Sequence, residues 1–462
     1  MTKKTKPPYV KPAITRISFT DTDKLKGMYL RTPSVREVDG HPVEKLLTEH
    51  GSPLYVVSEV SLRHSYRNMF EAFSKRYEKT VIAYSYKTNY LSGICAILHH
   101  EGAWAEVVSG FEYEMARRLG IPGEKIIFNG PYKKPAELNR AFSDGAAVNI
   151  DSYDEYGIAE QVAETLGRRS RLGVRVNMQL NHPAWDKFGF SLENGNAYEI
   201  CRRISRHRYL QLAGLHCHVG TYIIDLGVYR RAIGNLISLA LKIKEKLGIE
   251  VNYLDIGGGF PSSNTLHSQL MPGETMSPTP DQYADVICDI ISKKADEFSE
   301  PPLLILEPGR SIVDESMVLL SKIIAVKERE NKSRFAIIDA GVNLLPTAYY
   351  YKHTISSNRN APDKMEQVDI FGPLCMQVDV IRRNISLPRI QTGDILTIKN
   401  VGAYNFSQSM PFIFPRPAVV LVNNDRVEVL RRAETFDDLK GLEKVPERLL
   451  PAEAIWPADS KS

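Results

Sequence analysis

The sequence predicts an α/β protein, a (β/α)8 barrel of the TIM type, joined to a second, mainly antiparallel β domain. From about residue 53, short apolar or β-branched runs alternate with amphipathic stretches, as in βα units around a parallel sheet. After about residue 312, helical periodicity becomes scarce and β-rich segments follow one another. A chain of 462 residues is long enough for both units.

The first helix is predicted to begin after Ser58, because a serine hydroxyl often caps a helix N-terminus. The apolar residues that follow recur at the spacing of one helical face: Leu62, Tyr66, Met69, Phe70 and Phe73. Later helices are predicted to end at glycines, which readily adopt the left-handed conformation that closes a helix: Gly120, Gly167 and Gly248.

Eight apolar runs between the helical stretches predict the strands of the barrel. They are Val81–Tyr86, Ala103–Val108, Lys125–Asn129, Ala146–Ile150, Arg171–Asn177, Leu212–His218, Val251–Ile256 and Leu303–Glu307. Mostly polar residues stand at their carboxyl ends, where such barrels place active sites: Lys87, Glu106, Asn129, Asp151, Asn177, His218, Gly257 and Glu307. We therefore expect the functional site at that end of the barrel.

The second domain is predicted from four β-rich segments, the last with a turn at Asn423-Asn424-Asp425. The segments are Met317–Ala325, Phe335–Asp339, Ile395–Lys399 and Ala418–Val429. The predicted division is an N-terminal segment 1–52 that joins the β domain, a barrel 53–311, a β domain 312–450 and a tail 451–462.

Composition excludes several classes of protein. Lysine and arginine number 59 against 55 acidic residues, too small an excess to indicate nucleic-acid binding. No apolar run is long enough to span a membrane, and the basic start is followed by polar sequence rather than a signal peptide. The five cysteines form no CxxC pair, which is typical of isolated thiols in a reducing compartment: Cys95, Cys201, Cys217, Cys288 and Cys375. We expect a cytoplasmic protein without nucleic-acid or membrane partners.

Three segments at strand ends carry candidate chemistry. Lys87 is either a solvated charge or a desolvated amine suited to Schiff-base chemistry. The turn Gly257-Gly258-Gly259 is either a flexible connection or a cradle whose N–H groups bind phosphate. In Glu307-Pro308-Gly309-Arg310, the two charges form either a local ion pair or separate sites, with Arg310 as part of a phosphate clamp.

His216 and His218 stand two residues apart, so in a strand both side chains point to one side. That spacing suits a metal, but a metal site also needs further ligands at the same point. The other histidines fall mostly in helices and loops, for example His99, His100 and His207. A ring stacked on a flat cofactor is therefore favoured, and no metal site is predicted.

Eight motifs occur in order along residues 40–440. They are Tyr84 to Lys87, Ala105-Glu106-Val107-Val108-Ser109-Gly110, Lys187-Phe188-Gly189, Gly214-Leu215-His216-Cys217-His218-Val219-Gly220-Thr221, Asp255 to Phe260, Glu307-Pro308-Gly309-Arg310, Gly372-Pro373-Leu374-Cys375 and Gly402-Ala403-Tyr404. The set resembles the fold type III pyridoxal phosphate decarboxylases, which include diaminopimelate and eukaryotic ornithine decarboxylases. The resemblance implies an alanine-racemase-like barrel that binds pyridoxal 5'-phosphate (PLP).

The resemblance also implies the roles of individual residues. Lys87 is the lysine that links to PLP, His218 stacks on the ring and Glu307 pairs with the pyridine nitrogen. The other implied cofactor contacts, mostly to the phosphate, are Glu106, Thr221, Gly258, Gly259, Gly309, Arg310 and Tyr404. The family's active site is shared across a homodimer, so Cys375 is expected to be a proton donor from the neighbouring subunit.

A carboxylate at the pyridine nitrogen keeps that nitrogen protonated and lets the ring accept electrons, which favours decarboxylation. A racemase of the same fold type is a weaker match, because it places an arginine there. A non-catalytic relative that only binds proteins is also disfavoured, since Lys87, Glu307 and Cys375 are all present.

The substrate positions depart from those of the relatives. Counted without gaps from Gly341, the arginine that holds the distal carboxylate of diaminopimelate falls on Thr347, while Tyr351 is retained. The acid that follows the catalytic cysteine is Met376, and the second acid of ornithine decarboxylases falls on Lys352. An unpaired ammonium beside Met376 is costly, so we expect an amino acid or amino-acid conjugate with an acidic or neutral far end, as in siderophore or secondary pathways. The alternative is a meso-diaminopimelate decarboxylase that forms L-lysine.

Overall fold

The computed structural model describes residues 34–182, 185–359, 365–454 and 456. The basic start of the chain and most of the predicted tail lie outside these residues. The first described elements are β1 (Glu37–Val38), β2 (His41–Pro42), α1 (Val43–His50) and β3 (Leu54–Ser58).

The next strands form a parallel sheet that closes on itself. They are β4 (Thr80–Ser85), β5 (Trp104–Val107), β6 (Ile126–Phe128), β7 (Ala147–Ile150), β8 (Ser170–Asn177), β9 (Phe190–Ser191), β10 (Leu210–His216), β11 (Tyr253–Asp255) and β12 (Leu303–Leu306). Pairing of β8 with β10 closes the ring, and the short β9 lies outside it beside β8. The predicted eight-stranded barrel is confirmed, with strand ends that differ by a few residues from the predicted ones.

Helices surround this barrel. They are α2 (Glu59–Ser74), α3 (Ser92–His100), α4 (Gly110–Arg118), α5 (Pro135–Asp144), α6 (Tyr153–Leu166), α7 (Asn196–Arg206), α8 (Leu226–Leu247), α9 (Gly273–Met276), α10 (Pro280–Lys293) and α11 (Arg310–Val313). Gly167 and Gly248 adopt the left-handed conformation directly after α6 and α8, as predicted. Gly120 also has a positive φ and lies two residues beyond the end of α4.

The predicted first helix is α2, capped by Ser58, whose hydroxyl oxygen accepts a hydrogen bond from the Ser61 N–H (3.1 Å). The face predicted from periodicity is buried at Leu62, Tyr66, Met69 and Phe73. Phe70 differs, because it lies at the margin of that face and remains 36% exposed.

The second unit is mainly antiparallel, as predicted. Its later elements are β13 (Met317–Glu328), β14 (Arg334–Ile338), β15 (Ile355–Ser357), β16 (Met365–Phe371), β17 (Val380–Pro388), β18 (Ile395–Ile398), β19 (Val419–Val422), β20 (Val427–Arg431) and α12 (Phe436–Lys440). Strands β19 and β20 form the predicted hairpin, with Asn423 in its turn. Strands β16 and β17 had no sequence-based prediction.

Strand β3 belongs to this second sheet, although it lies within the range 53–311 predicted for the barrel. It pairs antiparallel with β13 and parallel with β19. Its alternate side chains enter two clusters, Leu54 and Val56 beneath α1, and Tyr55 and Val57 in the main core shared with the barrel. Burial on both faces explains why β3 is a continuous apolar run, and it ties the two units together.

Two further sequence-based expectations concern membranes and thiols. Among the described helices, none has the length and hydropathy required to cross a bilayer. All five cysteines are free thiols, and Cys375 is the exposed one.

Candidate active site

Lys87 lies in a short 3-10 turn (Tyr86–Thr88) that continues from the carboxyl end of β4, inside the mouth of the barrel. Its ammonium donates a hydrogen bond to Glu106 Oε2 (2.7 Å), a carboxylate that is almost fully buried. Burial alone would lower the pKa of Lys87, but the negative charges of Glu106 and Glu307 raise it above its usual value. The amine is therefore held as a cation in this protein.

Glu106, on β5, is the centre of a polar network across the strand ends. Besides Lys87, its carboxylate accepts hydrogen bonds from the Ser85 hydroxyl (2.5 Å) and from Asn129 Nδ2 (3.1 Å). The same Asn129 amide donates to Glu307 Oε1 (2.5 Å), so one side chain connects both carboxylates. The geometry fixes Glu106 and Glu307 relative to Lys87.

Glu307 directly follows β12 and is buried. Its Oε2 lies 3.5 Å from His216 Nε2, and its backbone N–H donates to the carbonyl oxygen of Gly257 (2.9 Å). Burial alone would raise the pKa of Glu307, but His216 and Lys87 hold it well below its usual value. Glu307 is thus an ionised carboxylate inside the barrel, as a partner for a cationic nitrogen must be.

The glycine turn follows Asp255, the last residue of β11. Asp255 Oδ1 accepts a hydrogen bond from the Gly257 N–H (2.9 Å). A Cβ at Gly258 would overlap the carbonyl oxygen of Glu307, and Gly259 combines a φ of +97° with close approach to the carbonyl oxygen of Gly220. The backbone therefore approaches the site where any side chain would be excluded.

His218 lies beyond the end of β10, so the prediction that His216 and His218 share one face of a strand is wrong. Strand β10 ends at His216, which faces Glu307, whereas His218 Nδ1 accepts a hydrogen bond from the Gly258 N–H (3.0 Å). Burial, followed by the positive charges of Lys87 and Arg175, lowers the pKa of His218 well below its usual value. The imidazole is a neutral flat ring next to the glycine turn.

Arg310 begins α11 and is nearly buried. Its guanidinium carbon lies 4.7 Å from the ring centroid of Tyr351 and 5.1 Å from that of Tyr404, and one terminal nitrogen donates to Asp314 (3.3 Å). Its Nε is buried without a hydrogen-bond partner among the described residues. A buried guanidinium N–H without a partner is a donor available to an anion.

These features fit PLP, the group that the sequence resemblance implies. Lys87 supplies the amine, Glu307 a buried carboxylate for a ring nitrogen, and His218 a neutral ring for stacking. The unpartnered Arg310 Nε and the close-approaching glycine turn suit the phosphate. Thr221 is exposed in the loop after β10, and Gly309, where a Cβ would overlap Thr88, permits close packing before α11.

The predicted substrate residues lie in the second unit. The Thr347 hydroxyl is buried, donates to Asn405 Oδ1 (2.6 Å) and lies 2.8 Å from His353 Nε2. The Lys352 ammonium donates to the carbonyl oxygen of Gln269 (3.2 Å), and the Lys352 N–H donates to that of Thr265 (2.7 Å). The loop after β11 therefore holds the segment that carries Thr347, Tyr351 and Lys352.

Cys375 and Met376 lie in the loop between β16 and β17. Both are exposed, and the loop is anchored by Asp379, which accepts hydrogen bonds from the N–H groups of Val342 and Leu374 (both 2.8 Å). Tyr404, by contrast, contacts the barrel of its own chain, because its N–H donates to the carbonyl oxygen of Thr88 (2.9 Å). A role for Cys375 in a neighbouring subunit stays a prediction.

Ser85 and Asp255 belong to this buried cluster but were not among the strand-end residues expected at the site. Both are buried polar residues at the ends of apolar strands. The available signal was a polar side chain inside an apolar run, which requires a buried hydrogen-bond partner.

Comparisons with known proteins agree with this geometry. The family described as "Pyridoxal-dependent decarboxylase, pyridoxal binding domain" matches residues 63–314, more than half of the chain. Diaminopimelate decarboxylase of Methanocaldococcus jannaschii is 33% identical over 430 residues, covering 89% of this chain and 96% of that protein. The Aquifex aeolicus diaminopimelate decarboxylase is 32% identical over 411 residues, covering 87% and 93%. The crystal structure of the M. jannaschii enzyme in complex with L-lysine superposes with a TM-score of 0.83 at 32% identity, covering 90% of this chain and 97% of that one.

Proposed function

Because the chain belongs to the pyridoxal-dependent decarboxylases, we propose that it decarboxylates meso-diaminopimelate to form L-lysine. The chain is a PLP-dependent amino-acid carboxy-lyase. The observation that carries the finer proposal is similarity, at 32–33% identity over 87–89% of this chain, to enzymes named for that activity. This substrate is the alternative of the sequence-based prediction, and the comparisons favour it over a conjugate.

The buried network supports decarboxylation. When bound, PLP accepts the electron pair that remains on the substrate when carbon dioxide leaves. Glu307 would hold a proton at the ring nitrogen, and the contacts of Asn129 and His216 fix the position of its carboxylate. Lys87 would supply the amine for covalent attachment of PLP. In the protein without PLP, Glu106 accepts a hydrogen bond from this amine and favours its protonated form. His218 and Arg310 would bind the ring face and the phosphate.

A second substrate class is favoured by one observation, the uncharged Met376. Its side chain is 38% exposed in the loop that carries Cys375, where an acid would receive a distal ammonium. An amino-acid conjugate with an acidic or neutral far end needs no such acid. This was the primary prediction from the sequence, and it competes directly with diaminopimelate.

A substrate comparison decides between the two. The purified PLP enzyme should release carbon dioxide from meso-diaminopimelate with a higher kcat/KM than from citrate, succinate or peptide conjugates of diamino acids. In the conjugate case, Thr347→Arg with Met376→Glu should move specificity towards diaminopimelate, because losing two charge-assisted contacts costs roughly two to four orders of magnitude. A conjugate as the best substrate of the unaltered enzyme would overturn the diaminopimelate proposal.

We also propose that the enzyme is a homodimer with shared active sites. The β domain exposes apolar side chains, among them Val378 (54%), in the loop that carries Cys375, and Met410 (57%) and Ile413 (52%). Exposed apolar surface of this kind marks a protein contact. In such a dimer, as the family resemblance implies, Cys375 would act in the active site of the neighbouring subunit.

A further inference from the structure

Asp255 is a fully buried carboxyl group that the proposed reaction does not use. One oxygen, Oδ1, accepts a hydrogen bond from the Gly257 N–H at the start of the glycine turn (2.9 Å). The other, Oδ2, is buried without a hydrogen-bond partner among the described residues. Side-chain oxygen and nitrogen atoms of Asp255, Glu307 and His216 lie within 4.8 Å of one another.

Two buried carboxylates at this separation cannot both be ionised at low cost. The groups around them decide which one keeps the charge. Asn129 donates to Glu307, and His216 and Lys87 also face Glu307. Asp255 Oδ2, by contrast, accepts no hydrogen bond from the described residues, although His216 lies within 4.8 Å of both carboxyl groups.

We propose that Asp255 stays protonated at neutral pH and donates a hydrogen bond to Glu307, so that it is a positioning residue connecting the glycine turn to that carboxylate. The proposal rests on the proposed function only for the role of Glu307 as partner of the ring nitrogen. With one oxygen Asp255 fixes the phosphate side of the cofactor site, and with the other it fixes the ring-nitrogen side. The pair carries one negative charge and one proton.

The electrostatic surroundings agree with that assignment. Burial, together with the charge of Glu307, raises the pKa of Asp255 well above its usual value, while the pKa of Glu307 is lowered. The other titratable or charged side chains that face the pair are Glu106, Lys87, Arg175, His216, Cys217, His218 and Tyr253. The cations among them face Glu307 rather than Asp255.

Infrared spectroscopy of the protein without PLP tests the proton directly. The difference spectrum between the wild type and Asp255→Asn at pH 7.5 should contain the C=O stretch of one protonated buried carboxylic acid, present in the wild type and absent from the variant. Should Asp255→Asn fail to fold, Glu307→Gln tests the same hydrogen bond, because an amide then replaces the carboxylate that accepts it and the C=O band should shift in frequency. A difference spectrum without that band, or a band that Glu307→Gln leaves unshifted, overturns the proposal.

Thermal unfolding provides a second measurement on the same proteins. An acid with a raised folded-state pKa binds its proton more tightly when folded, so its contribution to stability falls as pH rises above the unfolded value of about 4. Asp255→Asn has no such proton to lose. The Tm of the variant minus the Tm of the wild type should therefore increase by about 1 to 2 °C per pH unit between pH 5 and 7. A difference that is independent of pH would mean that Asp255 is ionised when folded.

The affinity for PLP distinguishes a positioning role of Asp255, through its two hydrogen bonds, from a role in packing alone. Asp255→Asn keeps an oxygen for the Gly257 N–H and an N–H for Glu307, so its Kd for PLP should remain within about threefold of the wild type. Asp255→Ala loses both contacts and should bind PLP about ten- to a hundredfold more weakly. Equal losses in both variants, or Zn²⁺ binding that requires Asp255, would overturn the proposal. None of these measurements depends on the substrate, so a wrong substrate assignment leaves the test intact.

Discussion

Replacing Glu106 by Gln should lower the pKa of Lys87 without removing its hydrogen bond acceptor. The Glu106 carboxylate is 1% exposed and lies 2.7 Å from Lys87 Nζ, while Lys87 remains 35% exposed. A charge-assisted hydrogen bond contributes about 1.5–3 kcal/mol when buried, and partial exposure of the lysine reduces that by about half. Since one pKa unit corresponds to about 1.4 kcal/mol, we expect the pKa of Lys87 to fall by about one unit.

The assay is reductive labelling of the PLP-free protein with a small aldehyde and cyanoborohydride, followed by peptide mass spectrometry across a pH series. Only the neutral amine reacts, so a fall of one unit should increase labelling of Lys87 about tenfold at any pH below its pKa.

Glu71→Gln is the matched control. Lys75 Nζ also lies 2.7 Å from Glu71, but both side chains are mostly exposed, so labelling of Lys75 should change little. Unchanged labelling of Lys87 in Glu106→Gln, or equal changes at the two lysines, would refute the reasoning that burial strengthens the Lys87 pair.

Two further outcomes concern the proposed active site. Borohydride treatment of the PLP-loaded enzyme should fix the cofactor on the peptide that contains Lys87, and Lys87→Ala should lose nearly all activity; label on another lysine would contradict the assignment. Mixing inactive Lys87→Ala and Cys375→Ala proteins should restore about one quarter of wild-type activity, because half of the dimers are mixed and each has one intact site of two. Subunit exchange without recovery would place Cys375 and Lys87 of one chain in the same site.

The barrel could be predicted from the sequence because its strands are buried on both sides and read as apolar runs separated by helical periodicity. Exact strand ends could not, since pairing stops where neighbouring backbones diverge and not where apolar residues stop. Val251–Ile256 was predicted as a strand, for example, but pairing covers only Tyr253–Asp255. Strand β10 likewise ends at His216, which gives His216 and His218 different surroundings.

Individual strand-end residues of the site could be predicted, but their mutual contacts could not. Lys87, Glu106, Asn129 and Glu307 were each expected at the mouth of the barrel. That Asn129 connects two carboxylates, and that Asp255 faces one of them, depends on the order of strands around the closed ring. The contacts of the predicted substrate residues are harder to predict from the sequence. The loop after β11 has no periodicity that would indicate its hydrogen bonds with Tyr350 and Lys352.

The position of β3 also determines when the second sheet can form during synthesis, because both strands that pair with β3 lie far along the chain. Val57 pairs with Met317 on one edge of β3, and Ser58 pairs with Val422 on the other. Hundreds of residues must therefore leave the ribosome before both edges of β3 are paired. At about 5–20 residues per second, the second partner emerges roughly 20–70 s after β3 does. Both edges of this apolar strand are unpaired until β13 emerges, and one edge stays unpaired until β19 follows, which makes the nascent chain, rather than the finished enzyme, the form most exposed to aggregation.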